Sequence, residues 1–161
     1  MDIFEYAMKM EKDGENFYRQ AARNSANRGI KAILTMLADE EVRHYKAIEK
    51  IRSAEPMQLT DTTILADAKN VFTVLKDSDE TFAPETNQVN LYKKALDIEE
   101  KSRNFYNEKA ADAPEQNSKN LFLRLAQEER KHYVLIENII DFLSKPNTWL
   151  ENAEFYHLDE Y

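Results

Sequence analysis

The residues best equipped for chemistry are two Glu-x-x-His pairs, Glu41 with His44 and Glu129 with His132, each preceded by an acid 30 positions upstream, Glu11 and Glu99. A glutamate and a histidine three residues apart lie on one helical face and can offer an oxygen and a nitrogen to a single cation from adjacent turns. All four acids interrupt apolar stripes. Glu41 and His44 sit between Ile30, Ile33/Leu34 and Leu37 on one side and Tyr45, Ile48 and Ile51 on the other, spaced i, i+3/i+4, i+7. Glu129 and His132 sit likewise between Leu121/Phe122 and Leu125, and Tyr133, Ile136 and Ile139/Ile140. Glu11 falls among Phe4, Ala7, Met8 and Tyr18, and Glu99 among Leu91, Ala95 and Tyr106. An ionised carboxylate removed from water without a partner costs several kcal/mol, and four in one interior also repel one another. Two divalent cations cancel the four negative charges, and neutral imidazoles complete the shells. The pattern therefore predicts a buried dinuclear metal site formed by Glu11, Glu41, His44, Glu99, Glu129 and His132.

The elements that must position these groups follow from an internal repeat. Sliding the chain by 88 residues pairs LADEEVRHYKAIEKI at 37–51 with LAQEERKHYVLIENI at 125–139, and MEKDGENFY at 10–18 with IEEKSRNFY at 98–106, without a gap. Positions 7–51 contain 16 identities with their counterparts, against about three expected by chance at typical residue frequencies. Each half reads as two amphipathic helices joined by a polar loop, roughly 2–23 and 28–52, then 87–110 and 116–144. Pro114 suits a first helical turn, and Pro146 follows the point where the last long helix should stop. Residues 53–86 form a crossover long enough to run the length of a bundle, with a short helix at about 62–76, and 145–161 form a tail that holds the one Trp. The expected fold is all-α: one domain over 1–161, a four-helix bundle of two helical hairpins (about 2–52 and 87–144) with one long crossover and a tail that packs on the bundle or on a neighbouring subunit.

Composition narrows the chemistry. With 161 residues, 42% hydrophobic and 32% charged, the chain can bury a core, and 2 Gly and 4 Pro are too few for the turns of a sandwich or barrel. Cysteine is absent, which excludes thiol catalysis, disulfides, iron–sulfur clusters and any rubredoxin-type iron held by four thiolates within these residues. Ligands must be oxygen and nitrogen, a set that suits iron or manganese and leaves zinc possible. The charges, 22 basic and 30 acidic, sum to −8, which repels phosphate backbones and argues against a nucleic-acid partner. The start MDIFEYAMKMEKDGE is too acidic for a secretory signal and no stretch reaches transmembrane length, so the expectation is a cytoplasmic protein without a membrane partner.

With two Glu-x-x-His motifs, two partner glutamates and a constant offset, the sequence resembles the rubrerythrin branch of the ferritin-like di-iron carboxylate proteins, whose general pattern is one Glu from each of two helices and Glu-x-x-His from each of the other two. The resemblance covers about 7–51 and 91–139, and the WLENAEF segment of the tail resembles short, single-domain members. It implies a ferritin-like bundle, a di-iron cofactor, Glu41 and Glu129 as bridging ligands, one terminal histidine per iron, and a homodimer. Two departures matter. Peroxidase-like rubrerythrins carry a further glutamate one turn after the third-helix ligand, where this chain has Ser102, with Gly14 as its counterpart in the first helix. Without a rubredoxin centre, electrons must come from a separate donor protein. The function expected is reduction of hydrogen peroxide or dioxygen by a di-iron oxidoreductase. The alternative is an iron-binding ferroxidase that oxidises Fe²⁺ without a dedicated peroxidase cycle, and a metal-free association module is a third reading against which the intact motifs speak.

Neighbouring residues complete the expectations. Tyr18 and Tyr106 lie two turns beyond Glu11 and Glu99 on the same stripes, either as phenols that hydrogen-bond a ligand carboxylate across the bundle and relay protons, or as core tyrosines satisfied elsewhere. Glu40 and Glu128 read as solvated-face residues, the alternative being acceptors for histidine N–H groups of the other hairpin. Phe17, Phe105, Tyr45 and Tyr133 read as core or rim packing, and His157 as an ordinary tail histidine. Gly14 within a helix costs about 1 kcal/mol, which points to close packing or small-ligand access there or to a helix-loosening accident.

Overall fold

Asp2 opens the first helix by accepting a hydrogen bond from the Glu5 backbone N–H at 2.9 Å, and Asn27 opens the second by accepting from Gly29 and Ile30 at 2.9 and 3.1 Å, each satisfying donors that the first turn leaves unpaired. These caps set the ends of α1 (Ile3–Asn24) and α2 (Arg28–Arg52), the first hairpin of a computed structural model that describes residues 2–57, 59–151 and 158. α2 ends where Ala54 takes a left-handed conformation (φ 56°) and Glu55 N–H returns to the Lys50 carbonyl at 2.9 Å, a Schellman-type stop. The crossover contains α3 (Ile64–Asp77) and a 3-10 turn, and leads into the second hairpin, α4 (Val89–Asp112) and α5 (Gln116–Ser144), followed by the short α6 (Pro146–Glu151). Pro114 lies in the α4–α5 loop, outside the first turn expected for it, because Glu115 is the N-cap, whereas Pro146 begins α6. The described residues contain no strand, and no helix among them is long and apolar enough to cross a membrane. The fold is an all-α, ferritin-like bundle.

The apolar core is split in two. One cluster joins Ile33, Leu34 and Leu37 of α2 to Leu135, Ile136 and Ile139 of α5 and to Phe72 of α3. The other joins Ala7 of α1, Ile48 of α2, Tyr106 of α4 and Leu121, Phe122 and Leu125 of α5. Along α2 and α4 the chain passes from the first cluster to the second, and along α1 and α5 from the second to the first, so the connection from α2 to α4 must return the length of the bundle. Its first part, with Met57 and Leu59, packs on the second cluster, and α3 packs on the first. Close approach there requires Gly29, where a Cβ would stand 2.6 Å from Leu75 Cδ1. The tail is anchored on the bundle by Trp149, whose ring lies 4.5 Å from Phe72 and 5.9 Å from Phe142 between centroids, and by Asn147, which makes two hydrogen bonds with the Phe82 backbone. His157 lies outside the described residues.

Candidate metal centre

Between the two apolar clusters every long helix turns a carboxylate inward. Glu11 of α1, Glu41 and His44 of α2, Glu99 of α4 and Glu129 and His132 of α5 are all buried. They form two overlapping groups whose ligand atoms lie within 4.8 Å of one another, Glu11/Glu41/His44/Glu129 and Glu41/Glu99/Glu129/His132. Each group takes three residues from one hairpin and one glutamate from the other, and Glu41 and Glu129 belong to both. His44 Nδ1 faces Glu129 Oε1 at 3.0 Å and Glu11 Oε2 at 3.4 Å, and His132 Nδ1 faces Glu41 Oε1 and Glu99 Oε2, each at 3.6 Å. The imidazoles stack with centroids 5.5 Å apart and planes 10° from parallel.

The donor set fits a pair of cations on one decisive point: each of the six residues keeps at least one buried atom with no hydrogen-bond partner, namely Glu11 Oε2, Glu41 Oε1, His44 Nδ1, Glu99 Oε2, Glu129 Oε1 and both nitrogens of His132. Orphaned buried polar atoms are costly, and these converge on one another, where a shared cation would satisfy them. Without one, charge is redistributed among the groups themselves. Burial, with repulsion from Glu11 and Glu129, drives Glu41 well above the ordinary carboxylate range, and burial with repulsion from Glu99 and Glu11 does the same to Glu129. Burial opposes the charged form of His44, but attraction to Glu11 and the hydrogen bond to Glu128 outweigh it and raise the imidazole well above its usual value. Burial pushes Glu11 and Glu99 upward too, yet attraction to His44 and hydrogen bonding, respectively, leave both below the ordinary value.

The two tyrosines cross between hairpins. Tyr18 of α1 donates to Glu99 Oε1 at 2.5 Å and Tyr106 of α4 donates to Glu11 Oε1. Burial and the surrounding carboxylates raise both phenols well above 10, so they remain protonated donors. Gly14 is a packing requirement of the site: a Cβ there would stand 2.8 Å from Glu41 Oε2. Phe17, Phe105, Tyr45 and Tyr133 are half-buried packing residues.

Glu40 and Glu128 do not face solvent as the sequence suggested; both are buried. Glu128 accepts from His44 Nε2 at 2.9 Å and from Arg43 at 2.8 Å, which, against the effect of burial, take its carboxyl down to about 2. Glu40 is held by Arg43 at 2.5 Å and by the Thr62 hydroxyl from the crossover. Sequence reasoning missed Arg43 and Thr62. The i, i+3 spacing of Glu40 and Arg43 was the available signal, and nothing local signalled that a crossover threonine would reach them.

An all-α bundle with a buried layer of four carboxylates and two imidazoles defines a ferritin-like carboxylate protein. The sequence profile of the Rubrerythrin family matches residues 2–88 and 90–157, and the chain belongs to that family. No curated protein and no solved structure gives a significant match to it.

Proposed function

We propose that the chain is a cytoplasmic, non-haem di-iron oxidoreductase that reduces hydrogen peroxide or dioxygen with electrons from a separate donor protein, acting as a homodimer. The observation that carries the reading is the pair of buried four-residue groups that share Glu41 and Glu129. Glu11, Glu41, His44 and Glu129 would hold one iron, and Glu41, Glu99, Glu129 and His132 the other, with manganese the next best match to the oxygen-rich set and zinc a further one. Two ferrous ions held there would supply the two electrons that, with two protons, convert hydrogen peroxide into two waters without releasing hydroxyl radical.

The protein's own groups prepare that chemistry. Two apolar clusters close the site above and below, which excludes bulk water and strengthens every charge interaction inside. The Tyr18 and Tyr106 hydroxyls hold a proton against an oxygen of Glu99 and of Glu11, orienting each carboxylate and keeping a proton beside the place where oxide charge would develop. Glu128 accepts a hydrogen bond from His44 Nε2, and in the neutral ring that leaves Nδ1 as the lone pair available to a cation.

One observation favours the ferroxidase alternative. Ser102, half-buried one turn after Glu99, offers at most a hydroxyl where a seventh carboxylate ligand would stand. Stopped-flow reoxidation of the reduced, iron-loaded protein separates the two readings: the peroxidase reading requires peroxide to act far faster than dioxygen, and comparable rates would favour the ferroxidase. Anomalous scattering at the iron edge should show close to two irons per chain, and light scattering tests the homodimer.

A further inference from the structure

The repeat predicts equal surroundings for the two histidines, and the structure departs from this. His44 Nε2 is paired with Glu128 at 2.9 Å, whereas neither ring nitrogen of His132 has a hydrogen-bond partner among the described residues. The counterpart acceptor, Glu40, lies nearby, with an oxygen within 4.8 Å of a ring nitrogen of each histidine, but makes no hydrogen bond to either. It is engaged elsewhere, by Arg43 at 2.5 Å and by the Thr62 hydroxyl. The cause is topological. The crossover is the element with no equivalent in the repeat, and it passes over one side only, where the Thr60 carbonyl accepts from Arg43 and Thr62 reaches Glu40. Arg43, itself replaced by Lys131 in the second repeat, is thereby fixed between Glu40 and Glu128.

We infer that Glu128, pinned by Arg43, is a positioning residue for His44 alone, and that the two cation positions are consequently unequal: the one using His44 is preorganised, and the one using His132 depends on a ring whose tautomer no hydrogen bond sets. The inference rests on the two-cation reading of the site. A hydrogen bond to the outer nitrogen fixes the tautomer that presents Nδ1 as a lone pair, fixes the ring plane and raises ligand basicity. His132 is held by burial and by its stack on His44 but has no such bond, so its tautomer is fixed only when the cation arrives.

The test uses the full chain loaded with Zn²⁺, a diamagnetic probe of the same sites. In imidazole ¹H–¹⁵N spectra, His44 should show a slowly exchanging Nε2 proton and His132 a rapidly exchanging one. By calorimetric titration, Glu128→Leu should weaken one of the two zinc positions by about 10- to 100-fold, the usual effect of losing such a partner, and abolish the slow proton. Glu128→Gln keeps an acceptor and should recover most of that loss, which separates positioning from mere packing and remains readable if the leucine variant fails to fold. Glu137→Gln, exposed on the same helix and outside this network, should leave both affinities within about three-fold. A loss of less than about three-fold from Glu128→Leu, or equal proton exchange at the two rings, would overturn the inference. Fewer than two zinc ions on the unmodified protein would instead sink the two-cation reading beneath it.

Discussion

At Gly14 the helix forgoes about 1 kcal/mol of propensity relative to alanine, and the reason lies across the bundle, where Glu41 Oε2 occupies the space a methyl would need. Because the obstructed group is the far end of a flexible side chain, Gly14→Ala should leave metal-free stability unchanged or slightly raised while weakening cation binding at least ten-fold, as read by metal titration against thermal unfolding. Glu129→Ala removes a residue common to both groups and should abolish metal pairing, whereas Glu137→Ala, exposed on the same helix, should not. Each cross-bundle phenol donates to a buried carboxylate, a bond type worth about 1.5–3 kcal/mol. Tyr106→Phe and Tyr18→Phe should therefore each lower metal-free stability by about 2 kcal/mol in denaturant unfolding.

The short α6 owes its position to Trp149, which packs edge-to-face against Phe72 of the crossover and Phe142 of α5. Trp149→Ala should cost about 3–5 kcal/mol, measured as a lower denaturant midpoint. Helices that obey their own periodicity were legible before any coordinates: the stripe Ile30, Ile33, Leu37, Ile48 defined α2, and the 88-residue offset placed its twin. The convergence of Glu41 and Glu129 was legible for the same reason, since a charge on such a stripe can only point inward. What stayed hidden depended on elements without local signature. Glu40 and Glu128 occupy one repeat position, yet the crossover reaches one and not the other. Pro114 met the composition rule for a first helical turn, but Glu115 took the cap and left it in the loop.

For the molecule as a whole, the buried charges predict how stability follows pH. A group with a higher pKa folded than unfolded holds its proton more tightly when folded, so its contribution is complete below the unfolded value and disappears as pH climbs through the folded one. Glu41, Glu129 and His44 are of this kind. Metal-free protein should therefore lose stability as pH rises from 5 to 8 in calorimetric scans, and a flat profile would refute the account of buried charge. Glu11, Glu99 and Glu128 are lowered and act in the opposite sense, their contribution disappearing only as pH falls below the ordinary carboxylate value. Metal binding requires deprotonated ligands and tightens as pH rises, so loading should raise the unfolding temperature most at the alkaline end. The division of ligands also bears on how the chain could be taken apart. Each four-residue group that could hold a cation draws three donors from one hairpin and a fourth from the other, so a backbone nick in the crossover would leave two fragments, neither with a complete set. Reassembly of such fragments would be gated by the ion, which makes this bundle a natural template for a metal-responsive split protein.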